Sequence, residues 1–300
     1  MPRTVELVDP RTCEWMRIDR EPSRGPVVAG PSTGPTLEVI TARDGLTITG
    51  WLHRPPPGTA HTGALVYLHG GPEGQARPGY EELFPPLVNA GITVFTPNVR
   101  GSGGSGRSFM HADVKEKRFA AIDDVADCVG FLVQRGLADE DRIACGGWSY
   151  GGFLTLAALT FHPELFAAGV SICGMSDLST FYRNTEPWIA QAAYSKYGHP
   201  VYDRELFEEL SPLRRVDALR APLLVVHGAH DTNVPPSESE QIVEALRARG
   251  RDVRYLLFGD DGHELVKREN REELVSVLSE WLITAFTAAR PRQNVDSPVH

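Results

Sequence analysis

The sequence predicts an α/β fold, a mostly parallel sheet with helices on both faces, and three observations carry that prediction. Continuous apolar runs recur at 64–68, 92–95, 142–145, 168–172, 223–226 and 253–258, as expected of strands buried on both faces. Segments with apolar residues at three- and four-residue spacing fall between them, at 80–90, 118–134, 152–160, 237–249 and 268–286, so strands alternate with helices. The rhythm breaks once, over 174–219, where aromatic and charged residues and short helical pieces read as a lid or specificity insert.

Residues 7–12 read as a short strand entering a turn, and the Pro/Gly-rich stretch from 21 to 35 as a connection. Runs at 37–41 and 46–52 alternate apolar with polar around Arg43, Asp44 and Gly45, the pattern of an antiparallel hairpin at a sheet edge. With that hairpin counted, 168–172 is the sixth strand, and the insert follows it. The expected organisation is therefore an amino-terminal extension over 1–35, one α/β domain over 36–288, and a disordered tail over 289–300. No internal repeat is visible.

Acidic residues outnumber basic ones by 39 to 30, a formal charge of -9, and no basic cluster offsets this. That balance argues against a nucleic-acid or anionic-membrane partner. No apolar run approaches a membrane span, and residues 1–6 lack the charged-then-apolar layout of a secretion signal. Cys13, Cys128, Cys145 and Cys173 form no C-x-x-C pair and three of them sit in apolar runs, so buried reduced thiols are expected rather than zinc or a disulfide frame. The chain reads as a cytoplasmic protein with neither metal nor other cofactor.

The chemistry centres on 143–152, where an apolar run ends in Gly147-Trp-Ser-Tyr-Gly151 and a helical run follows at once. Gly-x-Ser-x-Gly between strand and helix is a nucleophile elbow: the turn is too tight for a Cβ at either glycine, and Ser149 is pushed up at a helix N-terminus. A serine hydroxyl needs a histidine base, and the base needs an acid to hold its tautomer. Two loops after strands supply candidates, 227–235 with Asp231 and 259–263 with His263, in the order Ser, Asp, His of an α/β-hydrolase. Asp260 and Asp261 are rival acids because they adjoin His263. An oxyanion hole is expected from the Tyr150 N–H and from the loop His69-Gly-Gly-Pro72, with the Gly71 N–H favoured and Gly70 the alternative.

Two other readings are set aside. Gly101-Ser-Gly-Gly-Ser-Gly106 matches a dinucleotide fingerprint, but no helical pattern begins until about residue 118 to receive a pyrophosphate. His227, His230 and Asp231 could be imagined around a metal, yet no further ligand spacing converges on them.

Taken together, His69-Gly-Gly-Pro72, Asn98-Val-Arg-Gly-Ser102, Gly147-Trp-Ser-Tyr-Gly-Gly152, His227-Gly-Ala-His-Asp231 with Val234-Pro235, and Asp261-Gly-His263 resemble the prolyl oligopeptidase family, in its acylaminoacyl-peptidase and dipeptidyl-peptidase-like branch. The resemblance spans roughly 36–286. It implies a serine peptidase acting on short peptides or small acyl substrates, with Ser149, Asp231 and His263 as the matching triad. Glu264 and Leu265 stand where the family has glycine and an aromatic residue, which puts a carboxylate near the base. An esterase or amidase on a non-peptide metabolite would use the same machinery, and a non-catalytic module on this scaffold is a third class. Tyr150, Phe181, Tyr182 and Trp188 are expected to line an apolar pocket, because the insert concentrates aromatics just after a strand. Family members carry a β-propeller ahead of this domain, and residues 5–10 resemble the remnant of a last blade, so the chain reads as part of a longer architecture. An uncovered Ser149 would face solvent, favour activated esters over amides, and leave an apolar face that self-association could bury.

Overall fold

The computed structural model describes residues 6–8, 11–12, 15–17 and 34–289. In chain order the first half comprises β1 (Glu6–Val8), β2 (Trp15–Arg17), β3 (Thr36–Thr41), β4 (Thr47–His53), β5 (Gly63–Leu68), α1 (Phe84–Asn89), β6 (Ile92–Asn98), α2 (Arg107–Met110), α3 (Arg118–Gln134) and β7 (Ile143–Trp148). The second half comprises α4 (Tyr150–Phe161), β8 (Ala168–Ile172), α5 (Leu178–Asn184), α6 (Pro187–Tyr197), α7 (Arg204–Leu210), β9 (Leu223–Gly228), α8 (Ser237–Arg247), β10 (Val253–Phe258) and α9 (Arg268–Ala288). β1 and β2 pair antiparallel on their own, with Glu6 opposite Arg17. The other eight strands form one sheet in the order β10, β9, β8, β7, β5, β6, β4, β3.

Burial explains which strands stand where. β5, β6, β8 and β9 are buried at every residue, as strands with helices over both faces must be, and all are parallel. β4 alternates buried with more open residues and β3, at the edge, buries only Ile40; the two pair antiparallel as the expected hairpin and close one end of the sheet through β4 on β6. Alternate side chains of each central strand feed two separate cores. Val66, Leu68, Cys145, Leu223 and Val225 meet Ile122, Val125, Leu154, Ala158, Ile242 and Leu246 of α3, α4 and α8 on one face. Leu65, Tyr67, Ala144, Val170, Leu224 and Val226 meet Leu87 of α1 and Leu274, Leu278 and Leu282 of α9 on the other. The expected α/β-hydrolase architecture is thus the observed one.

The differences from expectation are local. α1 begins only at Phe84 instead of residue 80, because Pro85 and Pro86 have no N–H and fit only a first helical turn. α2 is a single turn directly after Gly106, where no helix was expected before residue 118; four residues show no periodicity. β2 was not anticipated, being only three residues long. Residues 1–5, 9–10, 13–14, 18–33 and 290–300 lie outside the described residues, and with them most of the expected extension, including nearly all of its Pro/Gly-rich connection, and nearly all of the expected tail.

The insert after β8 consists of α5, α6, α7 and a 3-10 turn at Pro212–Ala218. A buried carboxylate fixes it: Glu238 of α8 accepts hydrogen bonds from the Ser176 N–H (3.0 Å), the Asp177 N–H (2.9 Å) and the Thr180 hydroxyl. Burial raises the Glu238 pKa despite those donors. Cys128, Cys145 and Cys173 are buried free thiols. Among the described residues, no helix is long and apolar enough to cross a membrane.

Candidate active site

β7 ends at Trp148 and α4 starts at Tyr150, so the whole reversal falls on Ser149, which adopts φ 58° and ψ -115°. This left-handed backbone is strained for a residue with a Cβ, and such strain is held only where packing determines it. The packing here leaves no alternative. A Cβ on Gly151 would come within 2.0 Å of Leu68 O, and one on Gly147 within 2.6 Å of Gly151 C. The Ser149 N–H donates to Ile172 O at 2.8 Å, which pins the elbow to β8. Trp148 Nε1–H donates to His263 O at 2.9 Å, tying it to the loop after β10.

His263 Nδ1 lies 2.7 Å from Asp231 Oδ2, in the loop after β9. The rival acids are committed elsewhere. Asp261 accepts from the Val266 N–H (2.9 Å), the Lys267 N–H (3.0 Å) and Asn270 Nδ2 (3.0 Å), shaping the loop that carries His263. Asp260 pairs with Lys267 and Asn270 on the surface.

The Asp231 side chain has no solvent exposure. Its Oδ1 accepts from the Asn233 and Val234 N–H groups, both at 2.9 Å. Burial alone would raise its pKa, but hydrogen bonds from His227 and His263 outweigh burial and hold the carboxyl well below the ordinary carboxylate range. His227 was not recognised as part of this arrangement from sequence. It is fully buried, and its Nε2 lies 2.8 Å from Val234 O and 3.1 Å from Asp231 Oδ2. A carbonyl only accepts, so Nε2 carries the proton and donates, while Nδ1 accepts from the Ser239 hydroxyl at 2.6 Å. The available signal was its position at the carboxyl end of β9, four residues before Asp231.

Cys173, His227 and Asp231 each bring one ligand-type atom within 4.8 Å of the others. His227 Nε2 is a donor here, Asp231 Oδ2 is occupied by His263, and Cys173 Sγ donates to His263 O at 3.8 Å, so all three atoms already have hydrogen-bond partners. His230, imagined with them around a metal, is exposed and is not part of this group.

Ser149 and His263 line one cavity of about 410 Å³, together with Gly71, Pro72, Glu73, Tyr150, Met175, Phe181, Trp188, Asn233 and Val234 among others. Gly71 has φ 144°, and a Cβ there would lie 2.4 Å from Gly74 N, so only glycine fits this turn. Its N–H has no acceptor among the described residues. The Tyr150 N–H, at the first position of α4, belongs to the turn that lacks intrahelical acceptors. Gly70, the alternative, abuts the elbow: a Cβ on it would stand 3.6 Å from Ser149 Cβ.

The expected pocket residues divide. Phe181 and Trp188 line the cavity, Phe181 almost buried and Trp188 65% exposed at its rim. Tyr182 does not line it. Its ring stacks on Phe207 at 5.0 Å and its hydroxyl donates to Gly198 O at 3.0 Å, so it packs the insert instead. Neighbouring helix positions point about 100° apart, and one of two adjacent aromatics therefore turns away.

A buried charged network, not anticipated from sequence, adjoins the cavity through Tyr150, Lys196, Tyr197 and Glu73. Arg118 Nη1 donates to the Tyr150 hydroxyl at 2.7 Å and pairs with Asp113 at 3.1 Å, and the guanidinium lies 4.2 Å from the Tyr197 ring centroid. Lys196 Nζ pairs with Asp113 Oδ1 at 3.0 Å and Glu73 Oε1 at 3.3 Å, and also donates to Met110 O.

Known proteins share this arrangement of strands and loops. Over 256 residues the chain is 35% identical to the dipeptidyl aminopeptidase BIII of Pseudoxanthomonas mexicana, covering 81% of this chain and 37% of that protein. It is 28% identical over 216 residues to acylamino-acid-releasing enzyme 2 of Oryza sativa subsp. japonica, covering 69% of this chain and 28% of that protein. A Mycobacterium tuberculosis puromycin-hydrolyzing peptidase superposes with a TM-score of 0.88 at 28% identity, over 98% of this chain and 45% of that one. The chain thus spans less than half the length of these relatives. The family model for prolyl oligopeptidases matches residues 80–289, the elbow and both loops with Asp231 and His263 included, and on that match the chain belongs to the prolyl oligopeptidase family.

Proposed function

We propose that the chain is a serine hydrolase that cleaves peptide, aminoacyl or acylaminoacyl bonds through an acyl-enzyme on Ser149. Ser149 Oγ attacks the carbonyl carbon while His263 Nε2 takes its proton, and the ionised Asp231 holds His263 Nδ1–H and stabilises the imidazolium. The Gly71 and Tyr150 N–H groups, both at the cavity wall, receive the negative charge on the carbonyl oxygen. His263 then gives its proton to the leaving amine, and water releases the acyl group by the same steps. The observation that carries this reading is the 2.7 Å bond from a buried Asp231 to a His263 sharing its cavity with a strained Ser149.

The reading extends to a cytoplasmic setting, supported by Cys128, Cys145 and Cys173 standing as buried free thiols. A fluorophosphonate probe with a fluorescent tag, together with turnover of p-nitrophenyl esters and aminoacyl p-nitroanilides, tests it. Wild type is expected to label and turn over, and Ser149→Ala to do neither while melting at the same temperature. Full turnover by Ser149→Ala would refute it.

A further inference from the structure

Two residues of the cavity wall carry formal charge, Glu73 and Lys196. They are not equivalent. The Lys196 side chain is 5% exposed, and its three N–H donors are matched by three acceptors, Met110 O, Asp113 Oδ1 and Glu73 Oε1. An anion entering the cavity finds no free donor on it. The Glu73 side chain is 47% exposed and uses one oxygen on Lys196. Buried Asp113 is itself shared with Arg118, so Arg118 and Lys196 balance Asp113 and Glu73 in charge. Within this balanced set the exposed group is the carboxylate of Glu73, a residue of the cavity lining. Glu73 also stands on the loop of Gly70 and Gly71, which abuts Ser149, so its charge lies on the same wall as the serine. The remainder is largely apolar: Met175, Phe181, Trp188, Ile189 and Val234.

We infer that Glu73 recognises a substrate ammonium group, so that the cavity selects acyl groups bearing a free amine and an apolar side chain over their N-acylated counterparts. This rests on the hydrolase reading above and deepens it, choosing aminoacyl over acylaminoacyl substrates. An ammonium that donates to the second Glu73 oxygen forms a charge-assisted hydrogen bond, and a ligand seated against the apolar wall covers part of a carboxylate otherwise open to water, which is where such a bond gains discrimination. The same group rejects an acetylated nitrogen, which brings no charge and leaves the carboxylate desolvated without a new partner. The ammonium could come from an amino terminus or from a lysine side chain, and the two are separable.

Calorimetric binding of L-phenylalaninamide, N-acetyl-L-phenylalaninamide and N-acetyl-L-lysinamide to the wild-type chain and to Glu73→Gln tests this without requiring turnover. Wild type should bind phenylalaninamide at least about tenfold more tightly than its acetylated form, and Glu73→Gln should lose most of that ratio. The preference should also fade as pH rises through the ligand amine's own titration, since only the ammonium is recognised. Tight binding of N-acetyl-L-lysinamide in place of phenylalaninamide would assign the ammonium to a side chain instead. A Glu73→Gln chain that folded poorly would lose both ligands together, whereas the inference predicts a changed ratio. Equal binding of the free and acetylated amides by wild type, or an unchanged ratio in Glu73→Gln, would overturn it. If the ratio behaves as expected but no ester is hydrolysed at Ser149, the ammonium site stands and the hydrolase reading fails.

Discussion

Asp231 Oδ2 is contacted by two imidazoles, His263 at 2.7 Å and His227 at 3.1 Å, and the second contact weakens what the oxygen can offer the first. With His227 donating, part of the carboxylate charge is already engaged, and the imidazolium that forms on His263 is held less strongly. Asp231, kept ionised well below the ordinary range, remains an acceptor throughout the pH window of catalysis. His227→Leu should therefore move the acid limb of the pH–rate profile to higher pH, on the order of half a unit, because the freed oxygen favours the imidazolium. His227→Gln, whose amide N–H can take the place of Nε2–H, should restore the wild-type profile. A profile measured from pH 5 to 9 decides: an unmoved limb in His227→Leu assigns His227 a packing role alone. Ser149, Asp231 and His263 were legible in the sequence because each follows a strand of a parallel sheet, where loops converge. His227, Glu73 and Arg118 were not, since their roles depend on contacts across the fold, such as Arg118 to Tyr150, 32 positions apart.

The insert was legible as a departure from rhythm, but its internal packing was not, because aromatic composition does not say which ring faces the cavity. α5 contributes Phe181 to the cavity wall and α6 contributes Trp188 and Tyr197, and Phe181 and Trp188 differ in what else they do. Phe181 is 3% exposed and packs edge-on against Tyr182 at 5.6 Å, so Phe181→Ala should cost about 3–5 kcal/mol and lower turnover of every substrate alike. Trp188 is at the rim, with little packing to lose. Trp188→Ala should leave the melting temperature nearly unchanged while altering the ranking of p-nitrophenyl esters of different acyl size several-fold. Thermal melts beside an ester panel check both. Uniform loss with a lowered melting temperature in Trp188→Ala would show instead that it holds the insert together. Helices were readable where three or more turns showed periodicity, as in α3 and α9, and missed where one turn sufficed, as in α2.

Over the whole molecule, the dependence of stability on pH should carry the mark of a histidine placed where it cannot charge. His53 ends β4 with its ring edge-on to Phe84 at 4.9 Å, and its Nε2 is buried without a partner among the described residues. Burial pushes its pKa from 6.5 down to about 4. Between those values the unfolded chain takes up a proton that the folded chain refuses, so stability falls as pH drops through the window and levels off near its lower end. With the ring partly open to solvent, the loss should be at most about 2 kcal/mol. Burial lowers the His69 pKa too, adding to the same slope. Urea melts at pH 7.5, 6 and 4.5 should show a smaller decline for His53→Leu than for wild type, and an identical decline would exonerate His53. The sulfur atoms have a practical consequence of another kind. Burial raises the thiol of Cys145 to about 12 and those of Cys128 and Cys173 well above their ordinary value, leaving almost no thiolate at neutral pH. Once Cys13 is replaced, a maleimide dye should pass over the native sulfurs. A single cysteine introduced at exposed Tyr202 could then carry a fluorophore on the insert, to report ligand entry by its emission.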